Sequence, residues 1–172
     1  MSQIGASTKP TLLVVDIQNA WLDENADLKK SVEKRIGVIN EAIGWFRRNE
    51  LPIVVIYHAD KETGTLPGTE PFEFIHTVSI EDSDIKITKE YPNAFRKTLL
   101  ETTLKSAGCD TVIIAGLSAS GCVLATFFGA LDHDLNPYLL EGGVASHSEE
   151  HVRFAEEICA TISPGSFDKE LR

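Results

Sequence analysis

Three side chains of chemically active type stand at or just past the ends of short apolar runs. Asp16 follows Thr11-Leu-Leu-Val-Val, Lys89 closes Asp84-Ile-Lys-Ile-Thr, and Cys122 ends the stretch Gly116-Leu-Ser-Ala-Ser-Gly that follows Thr111-Val-Ile-Ile-Ala. A thiol, a carboxylate and an ammonium form a workable nucleophilic set. The acid takes the thiol proton, and the ammonium stabilises charge and tunes both pKa values. Cys122 falls where small residues lead into a helix, so unpaired backbone N–H groups and the helix dipole would favour its thiolate and a developing oxyanion. Each residue also has a structural reading. An aspartate at a strand end caps loops, a strand-end lysine is commonly a solvated charge, and a lone cysteine often packs as a small hydrophobe. That last reading fits Cys159, on the apolar face of a helix, whereas Cys109 lies in a turn and has no assigned role.

Of the five histidines, His58 directly follows a buried strand and is placed to line a pocket. His133 lies on a helix, and His147 and His151 flank a helix start as surface or capping residues. As a metal signal, His58 and Asp60 with His76 have no firm ligand spacing, and no metal or other cofactor is expected.

The elements that must position these groups follow from periodicity. Thr11–Val15, Leu51–Tyr57, Asp84–Lys89, Thr111–Ala115 and Pro137–Leu140 read as strands, the first two apolar enough to be buried on both faces. Leu28, Val32, Ile36, Ile39, Ile43 and Phe46 recur at helical spacing. Further helices are expected over residues 96–107, ended by Gly108, and around Leu124, Phe127, Phe128 and Leu131. A last helix, capped by Ser146 or Ser148, has Val152, Ala155, Ile158, Cys159 and Ile162 as its apolar face. Residues 59–83, with Gly64, Pro67, Gly68 and Pro71, read as an irregular excursion. Strands alternating with helices predict a three-layer α/β/α fold. Its mostly parallel sheet has five to six strands, with helices on both faces. In such folds the site lies beyond the carboxyl ends of the strands, which is where Asp16, His58, Lys89 and the 116–122 loop fall.

The 172 residues fit one domain, 1–172, with residues 1–10 and 163–172 as peripheral tails. A formal net charge of −10 disfavours nucleic-acid and anionic-membrane partners. It does not exclude a small anionic substrate, because one local cation can override the global field. No secretory signal is expected, and no apolar run approaches the ~20 residues of a membrane span. Three cysteines without CxxC spacing fit a reducing cytoplasm.

The ordered motifs also carry a resemblance. Leu12-Leu-Val-Val-Asp16-Ile-Gln18, then Lys89-Glu-Tyr-Pro-Asn-Ala-Phe95 with Thr98-Leu99, then Gly116-Leu-Ser-Ala-Ser-Gly-Cys122-Val123 resemble the isochorismatase-like cysteine hydrolase family over roughly residues 10–162. Nicotinamidases, N-carbamoylsarcosine amidases and ureidoacrylate amidases belong to it. Glu141-Gly-Gly-Val-Ala-Ser146 with His151 is similar to the family's C-terminal stretch, with Gly142 and Gly143 in place of its usual Asp-Ala pair. The resemblance implies a catalytic triad of Asp16, Lys89 and Cys122, a cis peptide at Leu117–Ser118, and an oxyanion held by the N–H groups of Ser118 and Cys122. It further implies a small-molecule substrate with a C–N bond of amide or carbamoyl type, a thioester intermediate, and a homo-oligomer, dimer or higher. Gln18, Trp21, His58, Tyr91, Phe95 and Ser120 are the candidate pocket residues. Nicotinamidases carry an Asp-x-His metal motif after the second strand, but Tyr57-His58-Ala59-Asp60 runs in the reverse order, so neither the metal nor nicotinamide carries over. Ser120 stands where family members often have Asp or Asn. The competing readings are a thiol redox or peroxide sensor using Cys122, a non-catalytic ligand-binding member of the family, and a receiver-like domain with Asp16 as phosphoacceptor. The last lacks the acidic cluster it needs.

Overall fold

A computed structural model describes residues 8–23 and 25–171 of the chain. Residues 1–7, most of the expected N-terminal tail, lie outside the described part. Six strands form one sheet: β1 (Pro10–Val15), β2 (Ile53–His58), β3 (Ile85–Lys89), β4 (Thr111–Leu117), β5 (Asn136–Ala145) and β6 (Thr161–Ile162). Their spatial order is β3-β2-β1-β4-β5-β6 and every pairing is parallel. The apolar runs earn this placement. Every residue of β1 and β4 is buried, as strands covered on both faces require.

Period-two alternation assigns the side chains to two cores. Leu12 and Val14 of β1 join one core with Ile39, Ile43 and Phe46 of α2 (Ala26–Arg48). Leu13 and Val15 join the other with Leu100 and Leu104 of α3 (Leu100–Ser106), Phe127 of α4 (Leu124–Asp132) and Val152 and Ala155 of α5 (Glu149–Ile158). The short α1 (Asn19–Asp23) follows β1. Asn25 starts α2 by accepting the Leu28 N–H at 2.9 Å, and Ser148 caps α5 by accepting the Glu150 N–H at 3.2 Å. Among the described residues no helix is long and apolar enough to cross a membrane.

Four expectations need correction. The helix expected at 96–107 begins only at Leu100, because Lys97 takes a left-handed φ of +56° that cannot continue a right-handed helix. Strand β5 runs on to Ala145, past a register shift between Ile114 and Gly116 of β4. Residues 163–171 are not a tail, since Phe167 and Leu171 of the C-terminal turn and α6 (Phe167–Glu170) are buried beside Trp45 and Phe46 of α2. Ile158, assigned to the apolar face of α5, is about half exposed, and Ile162, assigned to the same face, lies in β6 beyond the end of the helix. The excursion at 59–83 has no strand, but Phe72, Phe74 and Val78 are buried in the α2-side core and hold it over the end of β1.

Candidate active site

The parallel sheet delivers its chemistry at one edge. Asp16 directly follows β1, His58 and Lys89 are the last residues of β2 and β3, and Ser118 follows β4. Asp16 has φ +54°, a left-handed conformation that Asp tolerates better than most residues. Lys89 is fully buried, yet its ammonium is surrounded by acceptors. Nζ lies 2.7 Å from Asp16 Oδ2, 2.8 Å from His58 Nδ1 and 3.2 Å from Cys122 Sγ. Asp16 Oδ1 is buried without a hydrogen-bond partner, and Asp16 and Cys122 line the same cavity. The loop after β4 wraps as a tight turn over Ala119–Val123, in which the Ser118 carbonyl accepts the N–H groups of Gly121 at 2.9 Å and Val123 at 3.2 Å. The Leu117–Ser118 peptide is cis.

The cavity above the thiol measures about 360 Å³, enough for a small organic molecule. Trp21, Leu28 and Leu117 form apolar walls, while His58, Asp60, Ser118 and Gly121 add polar groups and backbone. Trp21 and His58 line this cavity, and the other four candidates lie outside its lining. Gln18 is fully buried behind it: its Oε1 accepts the His58 N–H at 2.8 Å and its Nε2 donates to the carbonyls of His58 at 3.1 Å and Phe72 at 2.8 Å. That clamp ties Gln18 to the backbone of His58. Phe95 turns into the core under α4 and packs on His133. Tyr91 turns outward, its ring under the Arg96 guanidinium at 4.0 Å and its hydroxyl 3.1 Å from Lys97 Nζ. Ser120 is exposed and its hydroxyl lies 3.3 Å from His151 Nδ1. Leu28 and Asp60 line the pocket without having been singled out for it. Leu28 opens the apolar series of α2, and the sequence marks Asp60 only by its place between His58 and His76.

Electrostatics divides the roles. Burial raises Asp16 above the ordinary carboxylate range, opposed by the charge and hydrogen bond of Lys89. Burial and then the Asp16 charge push the Cys122 thiol up to about 12, again with Lys89 pulling down. This overturns the expectation of a thiolate held by the helix start: desolvation outweighs the nearby N–H groups, so Cys122 rests as a thiol and needs a base. It also argues against a peroxide sensor, which works through an exposed, low-pKa thiolate. Burial first, and then Lys89, lower His58 below its ordinary value and keep it neutral. Because its Nδ1 accepts from the Lys89 ammonium, the ring proton sits on Nε2.

The three groups Asp16, His58 and Cys122 also form a potential cation cage, with ligand atoms within 4.8 Å of one another. The Lys89 ammonium already bonds to all three. His76 is exposed and takes no part in this cluster.

These electrostatics set a testable profile. Alkylation of Cys122 by iodoacetamide is expected to rise about tenfold per pH unit through the ordinary thiol value of 9.0, with no plateau there, because the rate follows the thiolate fraction. A plateau at or below that value, read by peptide mass spectrometry, contradicts the raised pKa.

Comparison with known proteins agrees with the geometry. A family model described as the isochorismatase domain matches residues 10–161. Maleamate amidohydrolase of Pseudomonas putida is 26% identical over 167 residues, covering 87% of this chain and 78% of that protein. The solved N-carbamoylsarcosine amidase of Thermoplasma acidophilum superposes with a TM-score of 0.79 at 27% identity, covering 91% of this chain and 96% of that one. An isochorismatase-like hydrolase from Alkaliphilus metalliredigens superposes with a TM-score of 0.85 at 24% identity, covering 96% and 97% of the two chains, and speaks to the fold.

Proposed function

The chain belongs to the isochorismatase family, and from that premise we propose that it is a cysteine hydrolase cleaving the C–N bond of a small amide or carbamoyl compound. The observation that carries this reading is the buried contact of Asp16, Lys89 and Cys122 at the floor of a cavity, with Asp16 Oδ1 unpartnered beside the thiol. The names of the amidohydrolase and amidase relatives support the same bond class.

Asp16 takes the Cys122 proton, and the sulfur attacks the carbonyl carbon of the substrate. The N–H groups of Ser118 and Cys122 hold the oxyanion. Collapse breaks the C–N bond, and the departing amine takes the proton from Asp16, leaving a thioester. Water then adds to the thioester while Asp16 accepts its proton; the tetrahedral species releases the acid, and the proton returns to sulfur. The Lys89 charge beside Asp16 and Cys122 opposes the burial that raises both groups.

Trapping tests this directly. A panel of primary amides and carbamoyl compounds is incubated with the protein, quenched in acid and mapped by mass spectrometry. An acyl adduct on the peptide carrying Cys122, formed along with released ammonia or amine, is the expected result. Ammonia release with no adduct in the burst phase, or an adduct on the buried Cys109 or Cys159 instead, overturns the mechanism.

A further inference from the structure

The charge of the cavity is one-sided. Asp16 and Asp60 are its acidic lining residues, and among the described residues lining it there is no Lys or Arg. Lys89, which bonds Asp16 beneath the cavity, is committed, and Lys61 lies in the adjoining depression rather than in this lining. An ammonium has three protons to donate, and Nζ has three acceptors in reach, Asp16 Oδ2, His58 Nδ1 and Cys122 Sγ. With Lys89 only 1% exposed, its charge is spent holding the site together. The local cation that could have drawn an anionic substrate into an acidic protein therefore has no donor left for one.

What the cavity offers instead is specific. His58 carries its proton on Nε2 and so presents a donor for one acceptor atom of a ligand. Asp60 is held by the Glu62 N–H, which bonds its Oδ1 at 2.8 Å, while its Oδ2 has no partner among the described residues. Trp21, set edge-on to His58 with ring centroids 5.7 Å apart, forms an apolar wall with Leu28 and Leu117.

We infer that this cavity selects small amides that are neutral or positively charged and discriminates against those bearing a carboxylate. His58 Nε2–H takes an acceptor on the ligand, Asp60 takes an N–H or ammonium, and the apolar walls take its body. This substrate class rests on the hydrolase reading given above, but its test does not require turnover. Iodoacetamide and iodoacetate have nearly the same shape, differ by one negative charge, and alkylate the same sulfur. Each rate at Cys122 is measured in the folded protein and divided by the rate in the urea-unfolded chain, which removes intrinsic reactivity. The normalised rate for iodoacetate is expected to fall at least about tenfold below that for iodoacetamide, the scale of two nearby carboxylates at partial burial. Asp60→Asn is expected to narrow the gap at least about threefold. Equal normalised rates, a faster iodoacetate, or a gap unmoved by Asp60→Asn overturns the inference. A selective cavity that yields no acyl adduct with any amide instead removes the hydrolase reading, so the two failures are distinguishable.

Discussion

Lys89→Met is expected to lower kcat/KM by at least about 10³ and to cost about 3–5 kcal/mol of stability, because it strands a buried carboxylate. The Lys89 side chain is fully buried and Asp16 nearly so, and their contact is 2.7 Å. Methionine fills much of the lysine's volume, so cavity formation is a minor part of the loss. The major part is electrostatic: Asp16 Oδ1 has no hydrogen-bond partner, and the substitution removes the charged partner of Oδ2, leaving only the Cys122 thiol beside the carboxylate. Asp16 can escape only by staying protonated, which removes the base.

This gives the variant a pH signature. Burial already raises Asp16 above the ordinary carboxylate range, and losing Lys89 removes the main influence pulling it down. The folded state then binds the proton more tightly than the unfolded chain. Stability is therefore greatest below the unfolded carboxylate pKa and falls as pH rises through the folded one. Urea unfolding at several pH values measures this. The double variant Asp16→Asn, Lys89→Met removes both charges of this buried pair and is expected to recover most of the stability and none of the activity. A single variant within tenfold of wild-type activity removes Lys89 from the machinery. A stability loss below about 1 kcal/mol means that water already compensates Asp16.

Much of this site was legible before the fold because a parallel sheet gathers the carboxyl ends of its strands. Reading apolar runs for Asp16, Lys89 and Cys122 was enough to bring three distant positions together. The logic failed where proximity in sequence was taken for proximity in space. Tyr91 and Phe95 follow Lys89 closely, but past the strand end the chain turns, sending one ring to Arg96 and the other into the core. Leu28 and Asp60 were harder to see, because they enter the pocket from the first turn of α2 and from an irregular excursion, and no local period reports such placement. The burial of Phe167 and Leu171 had a signal, two apolar residues four apart in a polar stretch, which the assignment of a tail passed over. The Cys122 pKa could not be read from sequence because it turns on desolvation, which depends on what covers the loop.

The last large effect lies in the backbone that carries the nucleophile. Gly116 stands opposite Val15 in the β1–β4 ladder, with φ +113°. A Cβ there would land on the backbone of Val15, its carbonyl oxygen first. Two central strands cannot part locally without losing ladder bonds on both sides, and β4 also pairs with β5 at Gly116. Gly116→Ala is thus expected to cost more than about 4 kcal/mol, in the range where single changes unfold small domains. Gly68→Ala is the control. Its φ of +86° is also left-handed, but an added Cβ meets nothing within 4 Å. It carries only the conformational penalty of about 1–2 kcal/mol. The difference between the two variants in thermal or urea unfolding isolates the steric contact. If the two lose the same stability, Val15 has room to move. The placement of Asp16 against Cys122 would then be set by side-chain bonds alone rather than by the close approach of β1 and β4.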